Sequence, residues 1–210
     1  MRFNDLTQSI THDFGQTACS IPPLNMQPID LQELLNSSLH SLRPRLKSAS
    51  AGVIQVVCEY GDLSVVDCSV EISQVFTSLI AQAIDALSGQ IGVMHRPQVR
   101  IRTMQIPDPQ GGNPRAVICV ADNGAEIPFA MQREIFNPSI STASTPRAIS
   151  ALAAGYDLAT CYEIVVNQHG GDLQCYSQAG STEFWIELPV NQLPQDVSYR
   201  HYNGQMPFAA

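Results

Sequence analysis

One stretch decides the fold: Ile72-Ser73-Gln74-Val75-Phe76-Thr77-Ser78-Leu79-Ile80-Ala81-Gln82-Ala83-Ile84-Asp85-Ala86-Leu87. Its apolar residues recur at steps of three and four, which predicts an amphipathic helix that buries one face, and Ser88-Gly89 ends the pattern. The other face carries Ser78, Gln82 and Asp85. A helix with this pattern must pack its apolar face against another layer.

Working outward, the pattern alternates between helices and strands. Spacings of three and four predict helices at residues 31–47, near 130–136 and at 158–168, the last ended by His169-Gly170-Gly171. Branched and alternating residues predict strands at residues 53–60, 99–104, 116–120, 172–177 and 182–190. We therefore expect an α+β fold, a two-layer sandwich with helices over one face of a mixed, largely antiparallel sheet.

The two ends of the chain lack this periodicity. Residues 1–28 contain Pro22, Pro23 and Pro28, which interrupt a helix, and are interpreted as a linker. Residues 191–210 are predicted to form a disordered tail. One domain at residues 29–190 remains.

Composition restricts the class of protein. The 210 residues carry a formal charge of −8, which argues against a nucleic-acid partner. No stretch is apolar enough for a membrane span, and the N-terminus is too polar for a signal peptide. The six cysteines form no metal-binding or secretory pattern, so we expect reduced, mostly buried thiols in a cytoplasmic protein.

Several segments, in order, resemble the nucleotide-binding domain of bacterial sensor histidine kinases. Residues 74–87 resemble the N box, and Asp122-Asn123-Gly124-Ala125-Glu126-Ile127-Pro128 resembles the first glycine box. Ile135-Phe136-Asn137-Pro138 is similar to the F box that follows. Residues 155–171 resemble the second glycine box and its helix, and Gly180-Ser181-Thr182-Glu183-Phe184 the final strand. The resemblance implies the ATP-binding fold shared with gyrase-like and chaperone ATPases, and residues 1–28 could then be a remnant of the dimerisation region.

The resemblance also implies a site for ATP and magnesium. Gln82 stands where the family asparagine coordinates magnesium, and Asp122 where the family aspartate accepts a hydrogen bond from adenine. The full set of nucleotide-binding positions carried over is Ser78, Gln82, Asp85, Asp122, Gly124, Ile127, Phe136, Gly155, Leu158 and Thr182. No catalytic residue is assigned.

Several of these boxes depart from the family pattern. Gln82 replaces asparagine, and Glu126, Ala153 and Asp157 stand where glycines are usual. Magnesium requires near-octahedral geometry at about 2.0–2.1 Å, so an oxygen displaced by a methylene must be re-aimed or lost. Asp157 is suited to cap the amides that normally receive phosphate, which makes it a hypothetical built-in phosphate substitute.

Three functions are therefore open. The chain could be a degenerate ATPase-like domain of two-component signalling with little ATP binding, acting on a signalling protein such as a histidine kinase or a response regulator. It could be a working kinase domain that phosphorylates a histidine on a partner chain. It could also be an anti-sigma-type regulator, which capture of a sigma factor would indicate.

Overall fold

A computed structural model of the chain describes residues 25–50, 54–88, 96–107, 112–137 and 158–190. Its helices are α1 (Leu31–Ser41), α2 (Arg43–Ser50), α3 (Ile72–Ser88) and α4 (Leu158–Tyr162), the last continuing as a π-helical stretch, Glu163–Gln168. Its strands are β1 (Gln27–Ile29), β2 (Gln55–Tyr60), β3 (Val66–Cys68), β4 (Gln98–Ile106), β5 (Arg115–Asp122), β6 (Asp172–Gln178) and β7 (Ser181–Pro189). Two 3-10 turns, Phe129–Met131 and Glu134–Phe136, follow β5. Within the described ranges, no helix is long and apolar enough to cross a membrane.

Five strands form one mixed sheet in the order β2-β4-β5-β7-β6. The β2–β4 pair is parallel, and the other three pairs are antiparallel. The helices cover one face of this sheet, with α3 against β4 and β5 and flanked by α1 and α4. The predicted two-layer sandwich is confirmed.

Helix α3 is the centre of the core, as its periodic pattern predicts. Its apolar face is fully buried, and the largest side chains there are Ile72, Phe76, Leu79, Ile80, Ile84 and Leu87. Burial of one such side chain contributes about 1.5–3 kcal/mol, so this face alone fixes α3 on the sheet. The polar face of the helix must then point away from the sheet's centre.

Two predicted boundaries are wrong. The helix expected over residues 31–47 is broken at Leu42, because Pro44 has no amide hydrogen to donate to the preceding turn. The region interpreted as a linker over residues 1–28 ends too late, since Gln27 and Pro28 belong to β1. Strand β1 pairs with β3 in a small antiparallel sheet of its own, and residues 1–24 lie outside the described part of the chain.

The predicted helix end at His169 is confirmed, and the ring does more than end a helix. Its Nδ1 lies 2.6 Å from the carbonyl oxygen of Ile164, and its Nε2 accepts a hydrogen bond of 3.0 Å from the amide of Ser69. Since Nε2 accepts, Nδ1 carries the hydrogen and donates. The buried ring thus joins the end of the α4 segment to the start of α3.

Candidate nucleotide-binding site

The polar face of α3 is buried although it carries hydrogen-bonding groups. Ser78 is 4% exposed and Gln82 is 3% exposed. The Oε1 atom of Gln82 has no hydrogen-bond partner in the part of the chain that the structure describes. An unpaired buried carbonyl costs about 1–3 kcal/mol. This oxygen is therefore an unused acceptor in a place closed to solvent.

Asp85 lies one turn beyond Gln82 on α3 and pairs with an arginine from α2. Its Oδ1 accepts a hydrogen bond of 3.0 Å from Nε of Arg45, and its Oδ2 lies 2.5 Å from Nη2. The side chains are 31% exposed for Arg45 and 17% for Asp85. A bidentate arginine–carboxylate pair is among the stronger charge-assisted contacts.

Asp122 ends β5 and is buried against the helical layer. Its Oδ1 accepts a hydrogen bond of 2.9 Å from the amide of Gly124, which turns the chain sharply after the strand. A Cβ on Gly124 would lie 2.9 Å from that same oxygen and 3.3 Å from the carbonyl oxygen of Ala86. Glycine is needed here because the loop approaches α3 so closely, and this approach brings Asp122 to the helix of Gln82 and Asp85.

A chain of hydroxyl groups holds the loop that follows Gly124. The amide of Ile127 donates to Ser177 Oγ at 2.8 Å, and Ser177 Oγ lies 2.7 Å from Thr182 Oγ1. Thr182 then donates to the carbonyl oxygen of Ala125 at 3.3 Å. Gln132 adds hydrogen bonds of 2.9 Å to the carbonyl oxygen of Ile127 and 2.6 Å to that of Ser177. The β6–β7 hairpin thereby fixes the loop on both sides of its exposed residue, Glu126.

Aromatic rings close the side of the site near α4. Phe136 lies 5.9 Å from Tyr162 and 6.4 Å, edge to face, from Phe184, measured between ring centroids. Leu158 is buried at the start of α4. Next to these rings, a groove of about 840 Å³ runs between the two 3-10 turns and β6, away from Gln82, and Phe129 and Tyr176 line it.

The predicted site residues thus separate into four groups. Phe136 and Leu158 lie on the side near α4. The structure brings together residues of α3, β5, the loop after it and β7: Ser78, Gln82, Asp85, Asp122, Gly124, Ile127 and Thr182. Glu126 is exposed at the surface of the fixed loop. Ala153, Gly155 and Asp157 lie outside the described residues, so their predicted roles stay predictions.

Three residues of the site were missed in the sequence. Ser177 could have been found, because the predicted hairpin places it across from Thr182, its partner in the strand register. No sequence pattern indicates Arg45 or Gln132. Each contacts its partner over a sequence separation of about 40 residues or more, and Gln132 does so from a turn whose geometry no pattern reveals.

Comparison with known proteins shows the family of this chain. The profile of the histidine kinase-, DNA gyrase B- and HSP90-like ATPase family matches residues 67–192. The chain is 31% identical over 121 residues to the signal transduction histidine-protein kinase AtoS of Escherichia coli, covering 57% of this chain and 17% of AtoS. It is 28% identical over 183 residues to the alginate biosynthesis sensor protein KinB of Pseudomonas aeruginosa, covering 85% of this chain and 27% of KinB. The chain therefore spans less than a third of these relatives.

Solved structures agree on the fold. The nucleotide-free catalytic domain of the histidine kinase ThkA superimposes with a TM-score of 0.61 at 18% identity, covering 80% of this chain and 97% of that domain. Full-length ShkA in complex with AMPPNP gives a TM-score of 0.56 at 18% identity, covering 81% of this chain and 32% of ShkA. Since the family profile spans more than half of its 210 residues, this chain belongs to the histidine kinase-, DNA gyrase B- and HSP90-like ATPase family.

Proposed function

We propose that this chain is a histidine kinase-type ATPase domain of two-component signalling that binds ATP weakly or not at all and acts mainly through protein contact. Domains of this family generally bind ATP with magnesium. The proposal is carried by one observation, the closed position of the Gln82 carboxamide on α3. A cytoplasmic location is part of the same proposal.

The base end of the pocket suits adenine. Asp122 has a buried carboxylate at the end of β5, and Gly124, which has no Cβ, lets the loop approach α3 closely. The hydroxyl chain through Ser177 and Thr182 keeps that loop in place without a ligand. A preformed pocket of this kind loses little free energy to ordering when a base binds.

The metal end suits magnesium poorly. Magnesium loses its water reluctantly and usually keeps several waters, so its protein ligand must face an open space. Gln82 is 3% exposed, and its oxygen is displaced by one methylene from that of an asparagine. Among the described residues, no group of three histidine, cysteine, aspartate or glutamate side chains could hold a metal ion in its place.

Negative charge adds to this deficit. Glu126 and Asp157 replace family glycines, and a carboxylate about 4 Å from a phosphate costs roughly 1 kcal/mol in water and about 4 kcal/mol near a protein surface. One adenine hydrogen bond contributes only about 1 kcal/mol. The balance for a triphosphate is therefore unfavourable even with an intact base end.

Exposed aromatic side chains support the protein-contact part of the proposal. Phe129 is 88% exposed and lies with Tyr162 and Tyr176 along the groove beside β6. Large exposed apolar groups often mark interaction sites. A histidine kinase chain or a response regulator is the class of partner proposed, and a solved structure of ThkA is a complex with the response regulator TrrA.

A gain-of-binding experiment tests the proposal. The variant Gln82→Asn with Glu126→Gly and Asp157→Gly restores the family residue at each position, and calorimetry should detect ATP binding that the natural chain lacks. Adding Asp122→Ala to this variant is the control, because it removes the oxygen proposed to accept from the base and should abolish the gain. If the triple variant folds and binds ATP no better than the natural chain, the proposal is refuted.

The second candidate, a working kinase domain, is favoured by the retained Asp122–Gly124 turn. A fluorescent ATP analogue should then bind tightly and only with magnesium. Transfer of phosphate to a histidine on a partner chain would complete the case for it.

A further inference from the structure

The Arg45–Asp85 pair lies beside the point on α3 that the loop after β5 approaches. Asp85 shares a helix face with Gln82, and the next residue, Ala86, is the point where the Gly124 loop meets α3. A group bound between Asp122 and Gln82 would therefore pass close to this pair. The charges of Arg45 and Asp85 therefore affect which chemical groups can bind there.

The carboxylate of Asp85 contacts the guanidinium group of Arg45 in the way that a phosphate would. The planar fork of arginine matches the oxygens of a carboxylate or a phosphate equally well. In Arg45 the Nε and Nη2 atoms are engaged by the two oxygens of Asp85. The carboxylate holds the position that two phosphate oxygens would take.

Resting on the function proposed above, we propose that Asp85 competes with nucleotide phosphates for Arg45. The pocket then recognises adenine compounds by their base alone, and AMP, ADP and ATP bind no more tightly than adenosine. Phosphates gain no contact with the Arg45 cation, because a polyphosphate would have to displace the Asp85 carboxylate, which would remain nearby and repel it.

The test is a ladder of adenosine, AMP, ADP and ATP titrated by calorimetry in the presence of EDTA. In the natural chain none of the three phosphorylated compounds should bind more tightly than adenosine. Asp85→Asn keeps the shape of the side chain, removes its charge and so weakens its hold on Arg45. ATP should then gain about tenfold in affinity relative to adenosine, as expected for one charge-assisted contact. Adding Arg45→Gln should remove this gain.

A matched control comes from the uncovered face of the sheet. Arg115 Nε and Glu187 Oε2 lie 2.9 Å apart at 30% and 32% exposure, close to the exposure of Arg45. Glu187→Gln removes the charge of the partner of Arg115 in the same way, and it should leave the ladder of the natural chain unchanged. If Asp85→Asn acted only by making the protein more positive, Glu187→Gln would raise the affinity for phosphates as well.

The outcomes separate this inference from the function on which it rests. A ladder in folded Asp85→Asn that is unchanged from the natural chain, or a gain that survives Arg45→Gln, overturns the competition. Tight, magnesium-dependent ATP binding by the natural chain contradicts the proposed function instead. Melting temperatures establish that each variant folds. If Asp85→Asn does not fold, the test is repeated with Asp85→Ser.

Discussion

Two hydroxyl groups set the position of the loop that carries the Asp122–Gly124 turn. Ser177 and Thr182 face each other across the β6–β7 hairpin, and together they satisfy the amide of Ile127 and the carbonyl of Ala125. Thr182 is fully buried, so its hydroxyl cannot turn to water if the loop moves away. A small number of hydrogen bonds therefore holds the loop in place.

Thr182→Val should destabilise the domain by about 1–2 kcal/mol, because the substitution keeps the shape and removes the hydroxyl that joins Ser177 Oγ to the carbonyl oxygen of Ala125. The free energy of unfolding from urea titration measures this. Thr77→Val is the matched control, since among the described residues the Thr77 hydroxyl bonds within its own helix, to the carbonyl oxygen of Ser73 at 2.8 Å. An equal loss in both variants would contradict the account.

Buried thiols make stability depend on alkaline pH. Burial raises the pKa of Cys68 to about 12 and that of Cys119 to about 11. An unfolded thiol titrates at about 8.5, so the contribution of each thiol is complete below that pH and is lost as pH rises toward the folded value.

Stability should therefore fall by up to about 1.4 kcal/mol per pH unit for each thiol between about pH 9 and 11. Urea unfolding at several pH values measures the slope, and the same series on Cys68→Ala with Cys119→Ala isolates it. The exposed Cys58 should react with iodoacetamide in the folded protein, while the two buried thiols stay unreacted. A slope unchanged by the double substitution would show that other groups cause it.

At the scale of elements, two adjacent glycines end the α4 segment for different reasons. Gly170 has a φ of +61°, and a Cβ added there would lie in open space. A Cβ on Gly171 would instead lie 2.3 Å from the carbonyl oxygen of Glu187. Gly170→Ala should thus cost about 1 kcal/mol through backbone strain. Gly171→Ala should cost more than about 3 kcal/mol, because helix and strand must separate. Similar unfolding free energies for the two variants would contradict this packing.

The elements were predictable where one physical rule dominates. The period of α3, the alternation of β7 and the glycine pair after His169 each determine an element locally, and the structure agrees. The break at Leu42 required weighing Pro44 against a continuous leucine pattern. The β1–β3 sheet was missed because three-residue strands carry too short a pattern to recognise.

At the scale of the whole molecule, the candidate site was predictable in its residues and not in its contacts. The resemblance assigned Asp122, Gly124 and Thr182, which the fold brings together. The burial of Gln82 and the engagement of Asp85 by Arg45 depend on how α1 and α2 pack on α3, which sequence spacing does not encode. Those two facts carry the functional proposals.

The most direct test of the central claim is the affinity of the unmodified protein for ATP, titrated by calorimetry once with magnesium and once with EDTA. The account predicts weak or undetectable binding that magnesium does not strengthen, because Gln82 is closed to a hydrated ion. Binding that is tight with magnesium and lost with EDTA would contradict it.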